Sequence, residues 1–364
     1  MNRRRFLQAA GAAPTLALAA LGSGRALAGT PAAELSEVAG DVWRAWKSVH
    51  LRPEGRVVDG LQQEASHSEG QGYGALLATE FGDAEALARI FDWTEDNLAI
   101  RDDPLLAWRW LPDQPVRVPD LNNASDGDLF YAWALSRAAR RFDERGYLDR
   151  AGSMARALVE HCLRPSPQGN DELLFLPAVH GFSERNRAVI NPSYLMPLAM
   201  RELAAATGAT ELALAAQHGE ALLLHLAQDG LVPDWIEIGR DGPGPAEGFS
   251  TNAGYEALRV PLFLIWSGLS RHPAVANMAR VYDRTVLPGL PVPTRIEPVS
   301  GVVLETSDDP GYRALAGLVR CASAASPQGA AIPPFAPAQP YYPATLQLFA
   351  MIAANQALHA CTPV

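Results

Sequence analysis

The feature that most constrains the fold is a repeat of apolar residues at intervals of three and four along most of the chain. Ala151, Met154, Leu158 and Cys162 illustrate it, because they fall on one face of a helical wheel. Strand-like alternation is limited to 55–60, 172–180, 231–238 and 294–304. The pattern predicts an all-α fold of about eleven helices, at 34–48, 69–80, 84–98, 126–143, 151–162, 192–206, 212–226, 253–268, 275–286, 310–323 and 341–360.

No linker interrupts the chain after residue 28. Proline and glycine are scattered through short connections, and their densest stretch, 326–343, lies near the end. We therefore expect a single domain at 29–364. Such a domain can bury all of its helices in two concentric layers, a helical toroid, and the loops at one end would then gather into a cleft.

The first 28 residues have the pattern of an export signal. Arg3, Arg4 and Arg5 precede an apolar run from Ala9 to Leu21, and small residues follow at 26–28. Paired arginines before such a run are typical of the twin-arginine pathway. A membrane anchor is the alternative, but the run is shorter than the roughly 20 residues that a span needs. A periplasmic or secreted protein is predicted, with no membrane span after the signal.

Charge and cysteine content exclude several kinds of partner. The chain carries a formal charge of -10, and residues 1–28 contribute only arginines to it, so the remainder is more acidic still. Such a surface repels nucleic acid and anionic lipid. Cys162, Cys321 and Cys361 show no metal-binding spacing. Export permits one disulfide, but buried thiols in the core are favoured.

The segment 66–74 is the first candidate site. Glu69 stands at the start of a predicted helix, and three glycines at alternate positions let the backbone approach a ligand closely. The alternative is structural: Ser68 would cap the helix, and the helix dipole would favour Glu69. No strand precedes the glycines, which argues against nucleotide binding. For His67, hydrogen bonding is favoured over metal ligation.

Two further acidic segments are candidates. Asp126 and Asn123 precede or open a helix, where a carboxylate and an amide could hold sugar hydroxyls; capping by Ser125 or Asp126 is the alternative. Glu256 and Arg259 lie three apart on a predicted helix, so they could form a surface ion pair. In a cleft, Arg259 would instead keep Glu256 ionised and able to act as a base.

Tryptophans near these segments could bind sugar rings. Trp108 and Trp110 are one residue apart, so in an extended segment they would point to the same side. Trp235 is considered in the same way, and burial in the core is the alternative for all three. The sequence has no His-Glu-x-x-His motif and no nucleophile elbow outside the export signal. Carboxylate chemistry without a metal or cofactor is therefore expected.

Six motifs in order resemble glycoside hydrolase family 8, over nearly the whole chain after the signal. The members most similar to it are endoglucanases encoded beside bacterial cellulose synthases. The motifs are Ser-Glu-Gly-Gln-Gly-Tyr-Gly at 68–74, Asp-Trp-Thr-x-x-Asn-Leu-Ala at 92–99, Asn-Ala-Ser-Asp-Gly-Asp at 123–128, Asn-Pro-Ser-Tyr-Leu at 191–195, Pro-Asp-Trp at 233–235 and Tyr-Glu-Ala-Leu-Arg-Val at 255–260.

The resemblance implies an (α/α)6 barrel, a cleft at one end and inversion at the anomeric carbon. It implies that Glu69 is the general acid and that Asp126 holds the sugar beside the scissile bond. Around them, the residues expected to bind substrate are Tyr194, Tyr255 and Arg259, with Trp110 and Tyr341 or Tyr342 as stacking platforms.

One position departs from the family pattern. Cellulase-like members carry an aspartate as general base where this chain has Glu256, whose side chain is longer by about 1.5 Å. Inverting enzymes keep their two carboxyl groups roughly 6.5–9.5 Å apart to admit a water molecule. Glu256 would therefore be a base in an adjusted site, or another carboxylate would replace it, or activity would be low.

The resulting expectation is an endo-acting, inverting hydrolase of β-1,4-glucan. It would work as a monomer in the periplasm or outside the cell, with a link to cellulose synthesis and the cellulose synthase complex as a candidate partner. The alternatives are a xylanase or chitosanase of the same family, and a glucan-binding accessory protein that has lost turnover through Glu256.

Overall fold

A computed structural model describes residues 37–325 and 329–362 of the chain. The predicted export signal at 1–28 lies outside these residues, and the described residues belong to one compact unit. Within the described part there are eleven α-helices: α1 Glu37–His50, α2 Ser68–Glu80, α3 Ala84–Asn97, α4 Ser125–Phe142, α5 Arg145–Cys162, α6 Pro197–Thr207, α7 Thr210–Leu226, α8 Arg259–Trp266, α9 Pro273–Thr285, α10 Pro310–Ser323 and α11 Tyr341–Ala357.

Across the same described residues, ten short strands lie in the connections between helices. They form three two-stranded pairs and one four-stranded sheet, all antiparallel. Their bounds are β1 Ser66–His67, β2 Arg109–Trp110, β3 Leu163–Pro165, β4 Leu173–Phe175, β5 Ser183–Glu184, β6 Arg187–Ile190, β7 Ile236–Gly239, β8 Gly242–Pro245, β9 Val292–Ile296 and β10 Val303–Ser307.

The helices form two layers, and the predicted (α/α)6 barrel class is confirmed. Five outer helices, α1, α3, α5, α7 and α9, bury one face against the rest of the protein, as α9 does with Val275, Met278 and Tyr282. The six inner helices are α2, α4, α6, α8, α10 and α11, and α8 is buried along its whole length. All six begin at the same end of the barrel, where the candidate site lies.

The other end of the barrel is closed by partly buried polar side chains, here called the closed-end network. Arg137 of α4 donates to Glu80 of α2 and, through Nε, to Glu202 of α6 at 2.7 Å. Gln356 of α11 donates to Glu80 and accepts from Trp266 of α8. Five of the six inner helices are thus cross-linked near their C-terminal ends.

Several sequence expectations about local structure were wrong. Residues 55–60 form isolated bridges and no strand, because the chain turns back on itself between Leu51 and Ala65. The helix predicted at 253–268 begins only at Arg259, since the preceding residues turn around a buried aspartate described below. The strands at 183–190 and 242–245 were not predicted.

The expectation of three core thiols was also wrong. Cys321 at the end of α10 forms a disulfide with Cys361 near the C-terminus, which ties the last described residues to the barrel. Cys162 is a free, buried thiol on α5, as its position on the apolar face predicted. Among the described residues, none of the helices is long and apolar enough to cross a membrane.

Candidate active site

Glu69 is the second residue of α2, and the cap of that helix is His67. The Nδ1 atom of His67 accepts a hydrogen bond of 2.9 Å from the Gly70 amide. Ser68, the expected cap, has a buried hydroxyl without a partner among the described residues. The Glu69 side chain is 20% exposed and points toward the cleft.

The glycines of this segment serve helix packing, and the expectation of close approach to a ligand was wrong for two of them. A Cβ on Gly72 would lie 2.9 Å from the Tyr131 amide nitrogen of α4, and one on Gly74 would lie 2.7 Å from Val57. Gly127 of α4 has the same role on the facing helix, since a Cβ on it would lie 2.6 Å from the Glu69 amide nitrogen. The absent side chains of Gly72 and Gly127 let α2 and α4 approach closely and bring Asp126 beside Glu69.

Asp126 and Asn123 have different surroundings. Asp126 is 3% exposed and its carboxylate lies 3.3 Å from the Arg259 guanidinium. Asn123 is equally buried, but its amide donates to Asp128 and accepts from the Val179 amide. The expectation that Asn123 binds a sugar is therefore contradicted, because both ends of its amide are occupied within the protein.

Glu256 lies in a turn that Asp234 organises. The Oδ1 atom of Asp234 accepts from the amides of Gly254, at 2.8 Å, and Ala257, at 2.9 Å. The Glu256 carboxylate in turn accepts from Asn191 Nδ2 at 3.1 Å and is 35% exposed. Sequence reasoning noticed the Pro-Asp-Trp motif for its tryptophan and missed the aspartate, although buried aspartates before turns commonly cap backbone amides.

Arg259 contacts all three carboxylates. In sequence, Glu69 is 190 residues from it, Asp126 is 133 residues from it and Glu256 is three residues from it. Its Nη1 atom donates to Glu69 at 2.6 Å and to Asp126, and its Nη2 atom donates to Glu256. The side chain is only 2% exposed. One buried guanidinium thus contacts three carboxylates. Because the surroundings have a low dielectric constant, these charge–charge interactions are stronger than they would be in water.

Burial changes the protonation of Asp126. Loss of solvent raises the pKa of Asp126 to about 7, against the opposing charge of Arg259 and with support from the charges of Glu69 and Glu256. A carboxyl group near half-protonation at neutral pH can donate a hydrogen bond as well as accept one. Paired carboxyl groups of this kind are what acid–base chemistry on a neutral substrate needs.

A cavity of about 330 Å³ opens beside this cluster. Glu69, Glu256 and Arg259 form its floor, and the lining also includes Tyr255, Tyr341 and Tyr342. Asp59, Gln62, Ser307, Asp309 and Tyr312 were not predicted from the sequence. Their segments carry no motif of their own and reach the cavity only because the loops before α2 and α10 fold over it.

The tyrosines of the cavity differ in what they offer. Tyr255 is 41% exposed and donates to Glu305, and Tyr342 donates to the Tyr255 carbonyl. Tyr341 is 1% exposed, with its ring edge-on to His67, so it cannot stack on a sugar as expected. The Tyr341 hydroxyl has no partner among the described residues.

The tryptophans are partly buried and lie in two places. Trp110 packs against Trp93, and the guanidinium groups of Arg56 and Arg117 each lie 5.0 Å from its ring centroid. Trp108 bonds through Nε1 to Asp120 at 2.9 Å. A sugar could stack on Trp110 only after Arg117, which is exposed, has moved aside.

Trp235 belongs to an aromatic cluster that extends from the carboxylates. Its ring lies 6.2 Å from Tyr194, whose ring faces the Arg259 guanidinium at 5.7 Å. Phe182 and Phe249 pack against Trp235 at 5.8 and 4.7 Å. The structure thus brings Tyr194, Trp235 and Arg259 together. For Tyr194 and Arg259, the family resemblance had predicted this.

The comparisons with known proteins agree on one family. The sequence profile of "Glycosyl hydrolases family 8" matches residues 10–356. A protein described as a probable endoglucanase from Novacetimonas hansenii is 30% identical over 92% of this chain and 97% of its own length.

Solved structures give the same picture. An endo-β-1,4-glucanase from Acetobacter xylinum superimposes with a TM-score of 0.77 and 28% identity, covering 88% of this chain and 98% of its own. An endoglucanase from Komagataeibacter sucrofermentans gives a TM-score of 0.77 and 30% identity, with the same coverage of both chains.

Proposed function

The chain belongs to glycosyl hydrolases family 8, and from this premise we propose that it cuts internal β-1,4-glucosidic bonds of cellulose or a soluble β-glucan. The reaction inverts the anomeric carbon and uses two carboxyl groups. The observation that carries the proposal is the cluster of Glu69, Asp126 and Glu256 around Arg259, of which Glu69, Glu256 and Arg259 line an open cavity and Asp126 is buried behind them.

Glu69 and Glu256 have the two catalytic roles in this proposal. Glu69 gives its proton to the glycosidic oxygen as the bond to the anomeric carbon breaks. Water attacks that carbon from the opposite face and loses a proton to Glu256. Asp126, buried beside them and near half-protonation at neutral pH, holds a hydroxyl of the sugar that develops oxocarbenium-like charge.

The length of Glu256 has a structural consequence for this mechanism. Its carboxylate reaches the guanidinium that also holds Glu69, so the two carboxylates are drawn toward each other without substrate. An inverting site needs room for a water molecule between the sugar and the base. We propose that substrate entry separates the pair, with Glu256 turning toward Asn191 and Ser193, which already bond to it.

The substrate chain would run past aromatic side chains on both sides of the carboxylates. On one side it would meet Tyr255 and Tyr342 in the cavity, and on the other Tyr194 and Trp235. Trp108 and Trp110 are assigned to a more distant sugar, because Trp110 lies in β2 and Trp108 directly precedes it, and β2 pairs with Ser66 and His67. Arg259 is assigned to positioning the three carboxylates.

Location and partners follow from the sequence and the relatives. Export through the twin-arginine pathway to the periplasm or beyond would place the enzyme where a bacterial cell extrudes cellulose. We propose trimming of nascent glucan beside a cellulose synthase complex as its task, by a monomeric enzyme.

A second candidate substrate is favoured by the charge of the cavity. Asp59, Glu69, Glu256 and Asp309 line it, and Arg259 is the one cation among the described lining residues. A cavity with excess negative charge attracts amines, so chitosan, a β-1,4-linked polymer of glucosamine, is the alternative. For xylan, the third polymer considered, the cavity shows no feature that favours it in this way.

Release of reducing ends from carboxymethylcellulose tests the proposal. The parent should cut, Glu69→Gln should lose at least about a hundredfold in kcat, and Glu256→Asp should change the rate. Glu85→Gln is the matched control. Glu85 forms an exposed ion pair with Arg89 on the outer helix α3, so this variant should be as active as the parent. Chitosan and xylan are assayed in parallel.

Each outcome has a distinct meaning. Activity on chitosan alone would replace the glucan assignment by the second candidate. Activity only after Glu256→Asp would identify the natural protein as a glucan-binding accessory with weakened catalysis, and tight oligosaccharide binding without turnover would support this. No activity of any variant on any of the three polymers would refute the proposed reaction.

A further inference from the structure

His67 is placed to act on Glu69 through the backbone. It caps α2, and Glu69 is the second residue of that helix. Its Nδ1 atom accepts from the Gly70 amide at 2.9 Å, so this nitrogen must carry a lone pair and the proton must be on Nε2. Helix caps are usually serine, threonine, aspartate or asparagine, whose acceptors do not titrate near neutral pH.

Asp59 faces the other nitrogen of His67. Its carboxylate Oδ2 lies 3.8 Å from Nε2, and Asp59 is itself fixed by the Leu61 amide and the Gln62 side chain. A carboxylate beside Nε2–H favours the tautomer that the cap requires. The edge of the Tyr341 ring packs against the imidazole, with centroids 5.5 Å apart, and limits rotation of the ring.

The first turn of α2 is held by two other contacts besides the His67 cap. The Ser68 amide donates to the Trp108 carbonyl at 3.0 Å, and the Glu69 amide lies against Gly127 of α4. The cap holds the third amide of the turn and so completes its attachment. Loss of the cap would let the turn unwind by fractions of an ångström at Glu69, and misplacement of a catalytic group by about 1 Å can cost a hundredfold in rate.

We propose that His67 and Asp59 form a positioning pair, in which the neutral imidazole fixes the first turn of α2 and so the direction of the Glu69 carboxyl group. This inference rests on the proposed role of Glu69 as the general acid. His67 acts through the helix and does not touch substrate, so it is a positioning residue.

The pair also makes the site sensitive to acid. A proton on Nδ1 would face the Gly70 N–H and break the cap. The charged and titratable groups around the imidazole are Asp59, Glu69 of α2, Asp126 of α4 and Tyr341 of α11. Burial lowers the pKa of His67, but the contact with Asp59 and the charges of Glu69 and Asp126 give a net rise. Activity should therefore fall as pH decreases through this raised value.

The test compares His67→Ala and His67→Asn with the parent, by kcat, KM, pH profile and melting temperature on a soluble glucan. Alanine removes the cap, so kcat should drop about tenfold or more with KM within about twofold. Asparagine restores a cap that does not titrate, so it should recover most of kcat and move the acid limb of the profile to lower pH.

His272 supplies a matched control. It caps the outer helix α9 by the same kind of bond, with Nδ1 accepting from Ala274 at 3.1 Å. His272→Ala should lower the melting temperature as His67→Ala does and leave kcat unchanged, because α9 does not carry a residue of the cleft.

The outcomes separate this inference from the proposed function. Parent activity that Glu69→Gln abolishes establishes the function. If His67→Ala then keeps the parent kcat, or if His67→Asn fails to recover it and leaves the acid limb unmoved, the positioning role is refuted. A folded parent that cuts none of the polymers refutes the function itself, and the inference with it.

Discussion

At the scale of single residues, three of the nine buried side-chain polar atoms that lack a hydrogen-bond partner in the described part of the chain lie close to Glu69. Within the described residues, Tyr341 Oη, Ser68 Oγ and Arg259 Nε have no hydrogen-bond partner, and all three belong to the residues around Glu69. An unsatisfied buried polar group costs about 1–3 kcal/mol of stability. Such groups persist where binding of a substrate satisfies them, so they are candidates for contacts made only in the complex.

Tyr341→Phe tests this at its simplest, because it removes only the unpaired oxygen. The free energy of unfolding should rise by about 1 kcal/mol, while kcat/KM falls as the hydroxyl's contact with substrate is lost. Chemical denaturation and the reducing-end assay measure the two effects. A stabilised variant with parental kcat/KM would show that the hydroxyl is unused.

Tyr131→Phe is the control for this change. Tyr131 is also fully buried, but its hydroxyl donates to Glu95 at 3.1 Å on the far side of α4. This substitution should lower the free energy of unfolding by about 1 kcal/mol and leave activity unchanged.

Asp128 should give the protein an unusual pH dependence. Burial raises the pKa of Asp128 to about 7, against hydrogen bonds from Leu106 and Asn123. A carboxyl group that binds its proton more tightly when folded stabilises the fold at low pH and loses that contribution as pH rises from about 4 to about 7. The contribution of Asp128 to the free energy of unfolding should therefore decrease over this range, by up to about 1.4 kcal/mol per pH unit.

Denaturant titrations at several pH values measure this slope. Asp128→Asn removes the titrating group, so the free energy of unfolding of the variant should fall less, or rise more, between pH 4 and 7 than that of the parent, by up to about 1.4 kcal/mol per pH unit. Equal slopes in both proteins would contradict the prediction. Asp126 contributes in the same direction as Asp128, whereas His50, whose pKa burial lowers to about 4, contributes in the opposite direction.

The two ends of each inner helix have different tasks at the scale of elements. In α10, Asp309 precedes the first residue and lines the cavity, whereas Cys321 near the last residue holds the C-terminal segment. Twelve residues of helix separate them by about 18 Å. Changes at the C-terminal end should therefore affect stability without affecting the cleft.

The double variant Cys321→Ser, Cys361→Ser tests this separation. The disulfide closes a loop with a sequence separation of 40 residues, and loss of such a link costs about 3–4 kcal/mol. The melting temperature should fall, and kcat at a temperature where the variant is folded should equal that of the parent. A reductant should lower the melting temperature of the parent and leave that of the variant unchanged.

The whole molecule has one polar cluster at each end of the inner helices. At the open end, six helix N-termini surround Glu69, Asp126, Glu256 and Arg259, and their dipoles favour the negative charge of the carboxylates. At the closed end, Arg137 is held by Glu80 and Glu202 in the closed-end network. Glu69, Glu256 and Arg259 of the first cluster line the cavity and belong to the proposed reaction, while the second cluster, whose charged side chains are 7–28% exposed, holds the inner helices together.

Arg137→Met should therefore destabilise the protein without altering the reaction. Removing one partner of a buried ion pair leaves the carboxylates unpaired and costs about 3–5 kcal/mol. The free energy of unfolding measures this, and KM and kcat of the folded fraction should be parental. Arg320→Met, which breaks an exposed pair with Asp283, should cost less than about 1 kcal/mol. A loss of kcat in the Arg137 variant would show that the two ends are coupled.

The sequence by itself was sufficient for the fold class, the family and most of the helices. Apolar periodicity is a local property, so α5, α7 and α9 could be predicted from their own residues. It also singled out Glu69, Asp126, Glu256 and Arg259 as candidates, since polar motifs between helices stand out from an apolar background. Their catalytic roles stay a prediction that the experiments above address.

Only the tertiary structure decided which side chains meet. Glu69 and Arg259 are 190 residues apart, and no local pattern shows that one guanidinium holds three carboxylates. Packing also turned Asn123 into the protein, buried the Tyr341 ring, brought Asp59 and Asp309 to the cavity and paired Cys321 with Cys361. Periodicity determines which face of a helix is buried, but the neighbours of that face depend on how all the helices pack together.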